Sequence, residues 1–146
     1  AIFGFSGRTH KRCEIYRIKA FDERYDRGVK RRIAGIAPKG YTRLGAPIRV
    51  LTRRLVEVPA KHRLLVTISD GKPEDYRSYR GRYGIEDTRQ ALVEARRLGV
   101  HAFCITIDET GGDYLPRMYG PANFVVVDDV MQLPHRLAEV YRRLTS

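Results

Sequence analysis

The sequence predicts an α/β domain: a three-layer arrangement with helices on both faces of a mostly parallel, open sheet. Three observations carry this expectation. Short apolar runs at residues 64–68 and 100–107 stop abruptly before Ser69-Asp70-Gly71 and Asp108-Glu109, the pattern of strands buried on both faces. Stretches with apolar residues at helical spacing lie between them. From Leu44 onward strand and helix alternate, which calls for parallel strands joined by right-handed crossovers. A chain of 146 residues can bury one real core, and no internal repeat, low-complexity tract or linker divides it.

Taken in order, residues 2–5 and 13–19 read as two strands joined by a basic turn over residues 6–12. Cys13 and Ile15 fall on one face of the second strand and Tyr16 and Ile18 break the alternation. Val29, Ile33 and Ile36 recur at helical spacing behind Asp26, a candidate N-cap, and Pro38-Lys39-Gly40 stops that helix. Leu44, Ile48, Leu51 and Leu55 form the stripe of a second helix, whose first turn has to contain Pro47. The buried strand ending at Ser69 follows, then a long loop over residues 71–84. Ile85, Thr88, Ala91, Leu92, Ala95 and Leu98 mark a third helix closed by Gly99. A second buried strand ends at Asp108. Gly111-Gly112 opens an irregular stretch with a helical turn around residues 114–119, and a short strand over residues 124–127 ends in Asp128-Asp129. Leu133, Leu137, Val140, Tyr141 and Leu144 give a last helix with Pro134 near its start.

Composition narrows the function classes. At 42% hydrophobic and 31% charged residues the chain is globular rather than disordered. No apolar run reaches the roughly 20 residues of a membrane helix. Residues 1–5 are apolar without a basic flank, so no secretory signal is read there. Cys13 and Cys104 are too far apart to suggest a disulfide framework or a zinc site, and a cytoplasmic protein with reduced thiols is expected. The net charge of +11 permits attraction to nucleic acid, an anionic surface or an acidic protein. Because arginine is scattered through helices as well as loops, a solvated basic surface is favoured over a nucleic-acid groove. The four histidines, His10, His62, His101 and His135, are dispersed and none is paired at i, i+4.

Candidate chemistry gathers at strand ends. Asp70 is a carboxylate delivered to the carboxyl edge of a parallel sheet, where open α/β folds place ligands. Its bland alternative is a side-chain cap of the following turn. Thr42 lies in the Gly-flanked loop Gly40-Tyr-Thr-Arg-Leu-Gly45 and could instead cap the next helix. Hydroxyl and carboxylate oxygens together suit a hard divalent cation such as Mg²⁺. Asp108 ends its strand on the same rim and reads as a turn residue. The loop Tyr76-Arg-Ser-Tyr-Arg-Gly-Arg-Tyr83 interleaves aromatic and guanidinium groups, a mixture that anchors protein contacts and can also stack on bases. Arg43, Lys72, Tyr76, Tyr79, Arg80 and Arg82 are the expected partner-binding residues. No catalytic residue is assigned: the adjacent acids Glu74/Asp75 and Asp128/Asp129 have no nucleophile beside them, and Gly111-Gly112 lacks the Lys-Ser/Thr of a phosphate loop. A metal-dependent hydrolase using Asp70, or a nucleic-acid module using the Tyr/Arg loop, are the rival readings.

The stretches FGFSG, YRIKAFDE, YTRLGAPIR, SDGKPEDY, GRYGIEDTRQAL and YLPRMYGPANFVVVDD resemble a von Willebrand factor A domain. Within that family the match is to the C-terminal domains of the nitric oxide reductase activation (NorD) and Rubisco activation (CbbO) group, and it runs over essentially the whole chain. The resemblance implies a metal-ion-dependent adhesion site built from three loops, with Thr42 in the second and Asp70 in the third. It implies an interaction module rather than an enzyme, working with a MoxR-type AAA+ ATPase on nitric oxide reductase or Rubisco, with a partner carboxylate completing the Mg²⁺ shell. The chain departs from the pattern in three ways. The Asp-x-Ser-x-Ser of the first loop occurs nowhere in it. The central strand and helix that precede FGFSG in the family are missing, so the domain over residues 1–146 is expected to be N-terminally incomplete, with another segment filling the gap or the neighbouring strands closing up. Pro47 stands where the family usually has Ala. With two protein ligands only, weak or no Mg²⁺ binding is expected for these residues and a proper site in the intact protein.

Overall fold

The computed structural model describes residues 1–9, 12–74 and 81–146. The elements run β1 (Ile2–Thr9), β2 (Arg12–Lys19), α1 (Arg27–Ala34), α2 (Gly45–Glu57), β3 (Arg63–Ser69), α3 (Gly81–Arg97), β4 (Val100–Thr106), α4 (Gly111–Tyr119), β5 (Phe124–Val126), a 3-10 turn (Val130–Gln132) and α5 (Leu133–Thr145). β3, β4 and β5 form a parallel sheet in that order, and β1 and β2 form a separate antiparallel pair. The mixed α/β class and the flanking helices match the expectation. The single sheet does not, because the strands divide into two sheets.

Alternation along the three parallel strands sorts their side chains onto two faces. Parallel pairing sets Leu65 beside Ala102 and Cys104 beside Phe124. These residues meet Leu44 and Ile48 of α2, Ala91 and Leu92 of α3, and Tyr114, Leu115, Met118 and Tyr119 of α4. On the opposite face Leu64, Val66, Phe103, Ile105, Val125 and Val127 meet Leu133, Leu137, Val140 and Leu144 of α5. One face therefore carries three helices and the other carries one. Phe103, Cys104 and Ile105 are each at most 1% exposed, as expected for the middle strand.

Local signals explain most boundaries. Asp26 caps α1, its Oδ1 accepting from the Val29 N–H at 2.9 Å. Pro47 sits in the first turn of α2, where no intrahelical donor is lost. Gly99 ends α3 with φ +75°, a left-handed conformation that glycine adopts without strain. Among the described residues no helix is long and apolar enough to cross a membrane.

Several expectations need correction. The basic turn expected over residues 6–12 is mostly strand: cross-strand pairing continues through Gly7↔Cys13 to Thr9↔Arg12, because the backbone of a two-stranded pair can extend regardless of charge on its exposed side. β3 is not buried on both faces. All its residues are partly exposed and Ile68 is 52% exposed, since among the described residues β3 pairs with β4 alone and so stands at the edge of its sheet. α1 ends at Ala34, leaving Ile36 58% exposed. α3 starts at Gly81, so the long loop is shorter than residues 71–84. Gly111-Gly112 begins a nine-residue helix rather than an irregular stretch.

The resemblance led to the expectation of a segment between β1 and β3 or of direct pairing between the two. Among the described residues no strand lies between β1 and β3, and the two are not paired to each other. Instead residues 41 and 42 span the interval at one end. Tyr41 bridges to Gly7 of β1, and Thr42 bridges to Glu74 beyond β3.

Candidate functional site

The rim at the carboxyl end of β3 is built mainly from backbone. Gly7 and Tyr41 exchange two hydrogen bonds, of 2.7 and 2.8 Å, and the Glu74 N–H donates to the Thr42 carbonyl at 2.9 Å. The Gly40 N–H donates to the buried Ser6 Oγ at 2.7 Å. The approach is so close that a Cβ on Gly40 would fall 2.2 Å from the Gly7 carbonyl oxygen. Glycine is required there by space, and the loop carrying Thr42 is thereby clamped between the hairpin and the segment that follows Asp70.

The turn after β3 is closed by Ser69, not by Asp70. Ser69 Oγ donates to the Gly71 carbonyl at 3.0 Å and lies 3.4 Å from the Gly71 N–H. Asp70 is exposed, and among the described residues its carboxylate has no hydrogen-bond or ion-pair partner. Its turn-capping alternative is overturned: the neighbouring serine takes that role. Thr42 is half-buried and does not cap α2, whose N-cap is Leu44 with no side-chain hydrogen bond. Both alternatives thus leave the two oxygen-bearing side chains uncommitted, in loops joined by the Thr42–Glu74 bridge.

The expected partner-binding residues scatter around this rim. Lys72 is exposed and its Nζ lies 5.5 Å from the centre of the Tyr114 ring. Arg43 turns the other way, its Cγ close enough to Gly7 that a Cβ there would meet it at 3.0 Å. Its charge also acts on Cys13, so Arg43 belongs to the hairpin side. Arg82 is exposed in the first turn of α3. Tyr76, Tyr79 and Arg80 lie outside the described residues.

Beside Lys72 is a cluster that the sequence disclosed only in part. Asp108 Oδ2 accepts from the Tyr114 hydroxyl at 2.8 Å, and Oδ1 accepts from the Thr110 N–H at 2.9 Å and the Thr110 hydroxyl at 2.8 Å. Asp108 is the turn residue expected. Desolvation pushes its carboxyl pKa up, but the bonds from Tyr114 and Thr110 and the Lys72 charge outweigh this and hold it below the usual range. Burial, then the Asp108 carboxylate, pushes the Tyr114 hydroxyl up. The signals for this cluster were Asp-x-Thr at a strand end and a Tyr six residues on. Ser6 offered no comparable signal, because its role depends on where the chain returns 34 residues later.

As ligands, Thr42 and Asp70 are of the right chemistry for Mg²⁺, which takes hard oxygen donors in octahedral geometry. They are too few to hold it. Among the described residues no group of three or more His, Cys, Asp or Glu could bind a metal ion. The donor set in hand does not fit a self-sufficient metal centre.

Comparison with known proteins adds a lineage. The chain is 42% identical over 132 residues to Protein NorD of Stutzerimonas stutzeri, covering 90% of this chain and 22% of that protein. It is 38% identical over 146 residues to Protein NorD of Brucella melitensis, covering 100% of this chain and 23% of that protein. The chain has homologues named NorD. An uncharacterized protein of Pseudomonas aeruginosa, PA0525, is 48% identical over 144 residues, covering 99% of this chain and 24% of that protein. The chain thus spans about a quarter of the length of the curated relatives it matches. No family model matches, and no solved structure matches.

Proposed function

We propose that this chain is a docking module of a NorD-like activation protein, and that it recognises a partner through the rim carrying Thr42 and Asp70. The observation that carries the reading is the state of Asp70: an exposed carboxylate with no partner among the described residues, at the end of a parallel strand, its turn closed by Ser69. A carboxylate used only to shape its turn would be hydrogen-bonded to it. The NorD-named relatives, aligned over nearly the whole chain, support placing the module in a protein that helps activate nitric oxide reductase. The sequence resemblance extends the alternatives to Rubisco as target, and names a MoxR-type AAA+ ATPase as the partner that supplies mechanical work. On this reading the module is an adaptor of von Willebrand factor A type in the cytoplasm and catalyses no reaction itself.

Mg²⁺ enters this reading as a shared ion. Thr42 and Asp70 would supply part of its shell, and the remaining donors would come from outside these residues, a partner carboxylate among them. Lys72 and Arg82, both exposed near the rim, would attract that acid over the last several ångströms.

The test is co-purification of the protein with its ATPase and target, wild type against Asp70→Ala and Thr42→Val, with and without Mg²⁺. Loss of the complex in both variants, with an unchanged circular-dichroism spectrum, is the expected outcome. Full retention by Asp70→Ala would end the proposal. Titration calorimetry of these 146 residues with Mg²⁺ should show no micromolar binding.

A further inference from the structure

A second feature lies at the other end of the molecule. α2 leaves the rim just after Thr42 and runs back beside the sheet, and α3 runs the same way to deliver the chain to β4. The two helices are clamped by Arg49, whose guanidinium donates to Asp87 Oδ1 and to Glu94 Oε2, each at 2.9 Å. Toward their carboxyl ends the helices part around a groove of about 300 Å³. Ala91 and Ala95 lie beneath it and are themselves fully buried. Leu98, 51% exposed, makes an apolar lip.

The groove is charged asymmetrically. Arg49, Arg53 and Arg97 line it against the single carboxylate of Glu94. Arg49 is already committed to Asp87 and Glu94. Arg53 and Arg97 are exposed, and among the described residues neither has an acidic partner. A second, independent observation concerns Thr52 in the groove wall: it is 2% exposed, and its Oγ1 is buried with no hydrogen-bond partner. A buried hydroxyl left unpaired is costly and uncommon.

We propose that this groove is a docking site for an acidic segment of a protein partner, which sets carboxylates between Arg53 and Arg97 and one apolar side chain against the exposed Leu98. Two uncommitted guanidiniums flanking a groove with an exposed leucine at its lip fit such a segment by charge and by shape. The site needs no metal and uses no rim residue, so it stands apart from the reading above.

The experiment is fluorescence anisotropy of a labelled twelve-residue peptide of repeating Glu-Glu-Leu-Leu, with a Gln-for-Glu peptide as control, against the full-length protein. Wild type should bind the acidic peptide saturably and the control not at all. Arg53→Glu/Arg97→Glu should weaken binding at least about ten-fold, since two reversed contacts amount to roughly a decade in affinity. Arg24→Glu/Arg27→Glu removes the same net charge at positions that do not line the groove and should change affinity by less than about two-fold, as should Asp70→Ala. Arg53→Gln/Arg97→Gln, a milder pair of surface changes, should also lose affinity and guards against misfolding. Absence of saturable binding overturns the proposal, and so does an equal loss in the Arg24/Arg27 variant, which would mean diffuse attraction to a basic protein. Binding that survives Asp70→Ala while complex formation with the ATPase fails separates this site from the rim.

Discussion

Gly40→Ala is the substitution most revealing of how the rim is held. A Cβ at this position would lie 2.2 Å from the Gly7 carbonyl oxygen and 3.1 Å from Ser6 Oγ, the first more than 1 Å inside ordinary contact. Neither neighbour can turn away, since one is backbone and the other accepts from Gly40 itself. The segment has to retreat from β1. Overpacking of this kind costs about 1–3 kcal/mol. Retreat also weakens the two Gly7–Tyr41 hydrogen bonds of 2.7 and 2.8 Å, each worth about 1 kcal/mol net. A total loss of about 2–4 kcal/mol follows. Gly71→Ala is the internal control, on the same rim, with nothing within 4 Å of its built Cβ. Reducing the freedom of the unfolded chain there should leave stability unchanged or raise it by up to about 1 kcal/mol. Urea unfolding followed by circular dichroism measures both. At a slope of about 2 kcal/mol per molar urea, Gly40→Ala should lower the midpoint by about 1–2 M with the slope preserved. A Gly40→Ala protein within about 0.5 kcal/mol of wild type, or a Gly71→Ala protein equally destabilised, would refute the close approach as the reason for glycine.

Other expectations concern the core and the Asp108 cluster. Thr67 Oγ1 and the buried Tyr119 hydroxyl are 2.5 Å apart, and Thr67 also donates to the Phe103 carbonyl. Thr67→Val should therefore cost about 1–3 kcal/mol by leaving the tyrosine hydroxyl with only the weak Cys104 thiol beside it, whereas Thr67→Val/Tyr119→Phe should recover much of it, a non-additivity read by a double-mutant cycle. Burial pushes the Cys104 thiol up to about 11, so iodoacetamide at pH 8 should label Cys104 only after denaturation and the half-buried Cys13 earlier, as read by mass spectrometry. Asp108 has its folded-state pKa held down, so its contribution to stability is complete above the ordinary Asp value of about 3.9 and is lost as pH falls through the lower folded value. Tyr114→Phe should reduce that loss, giving a shallower acid limb in stability measured between about pH 5 and pH 2.

The parallel core was legible because its signals are side-chain periodicities. The run at residues 100–107 became β4, buried between two layers, and the stripe Ala91, Leu92, Ala95 faces the sheet from α3. The same reasoning overstated β3, because an apolar run reports what a strand could bury and not what is present to cover it. Leu64 and Val66 reach the cluster under α5 only partly buried, and Ile68, on the same face of this edge strand, is 52% exposed. The hairpin was under-read for the converse reason. The stretch Arg8 to Arg12 is too basic to look like a strand, yet ladder hydrogen bonds do not depend on side-chain charge.

At the rim the division is sharper. Thr42 and Asp70 were visible as side chains of suitable chemistry. What holds them in register was not, since it consists of main-chain contacts between residues far apart in the chain: Gly7 with Tyr41, Gly40 with Ser6, Thr42 with Glu74. None of these contacts uses the side chain of Tyr41 or Glu74. A backbone-built rim fails where a side chain is introduced into the space the backbone occupies. The residues that present the candidate donors and the residues that fix their spacing are therefore different sets. In the second set, Gly40 and Ser6 fix the loop that carries Thr42, and Ser69 frees Asp70 from its turn.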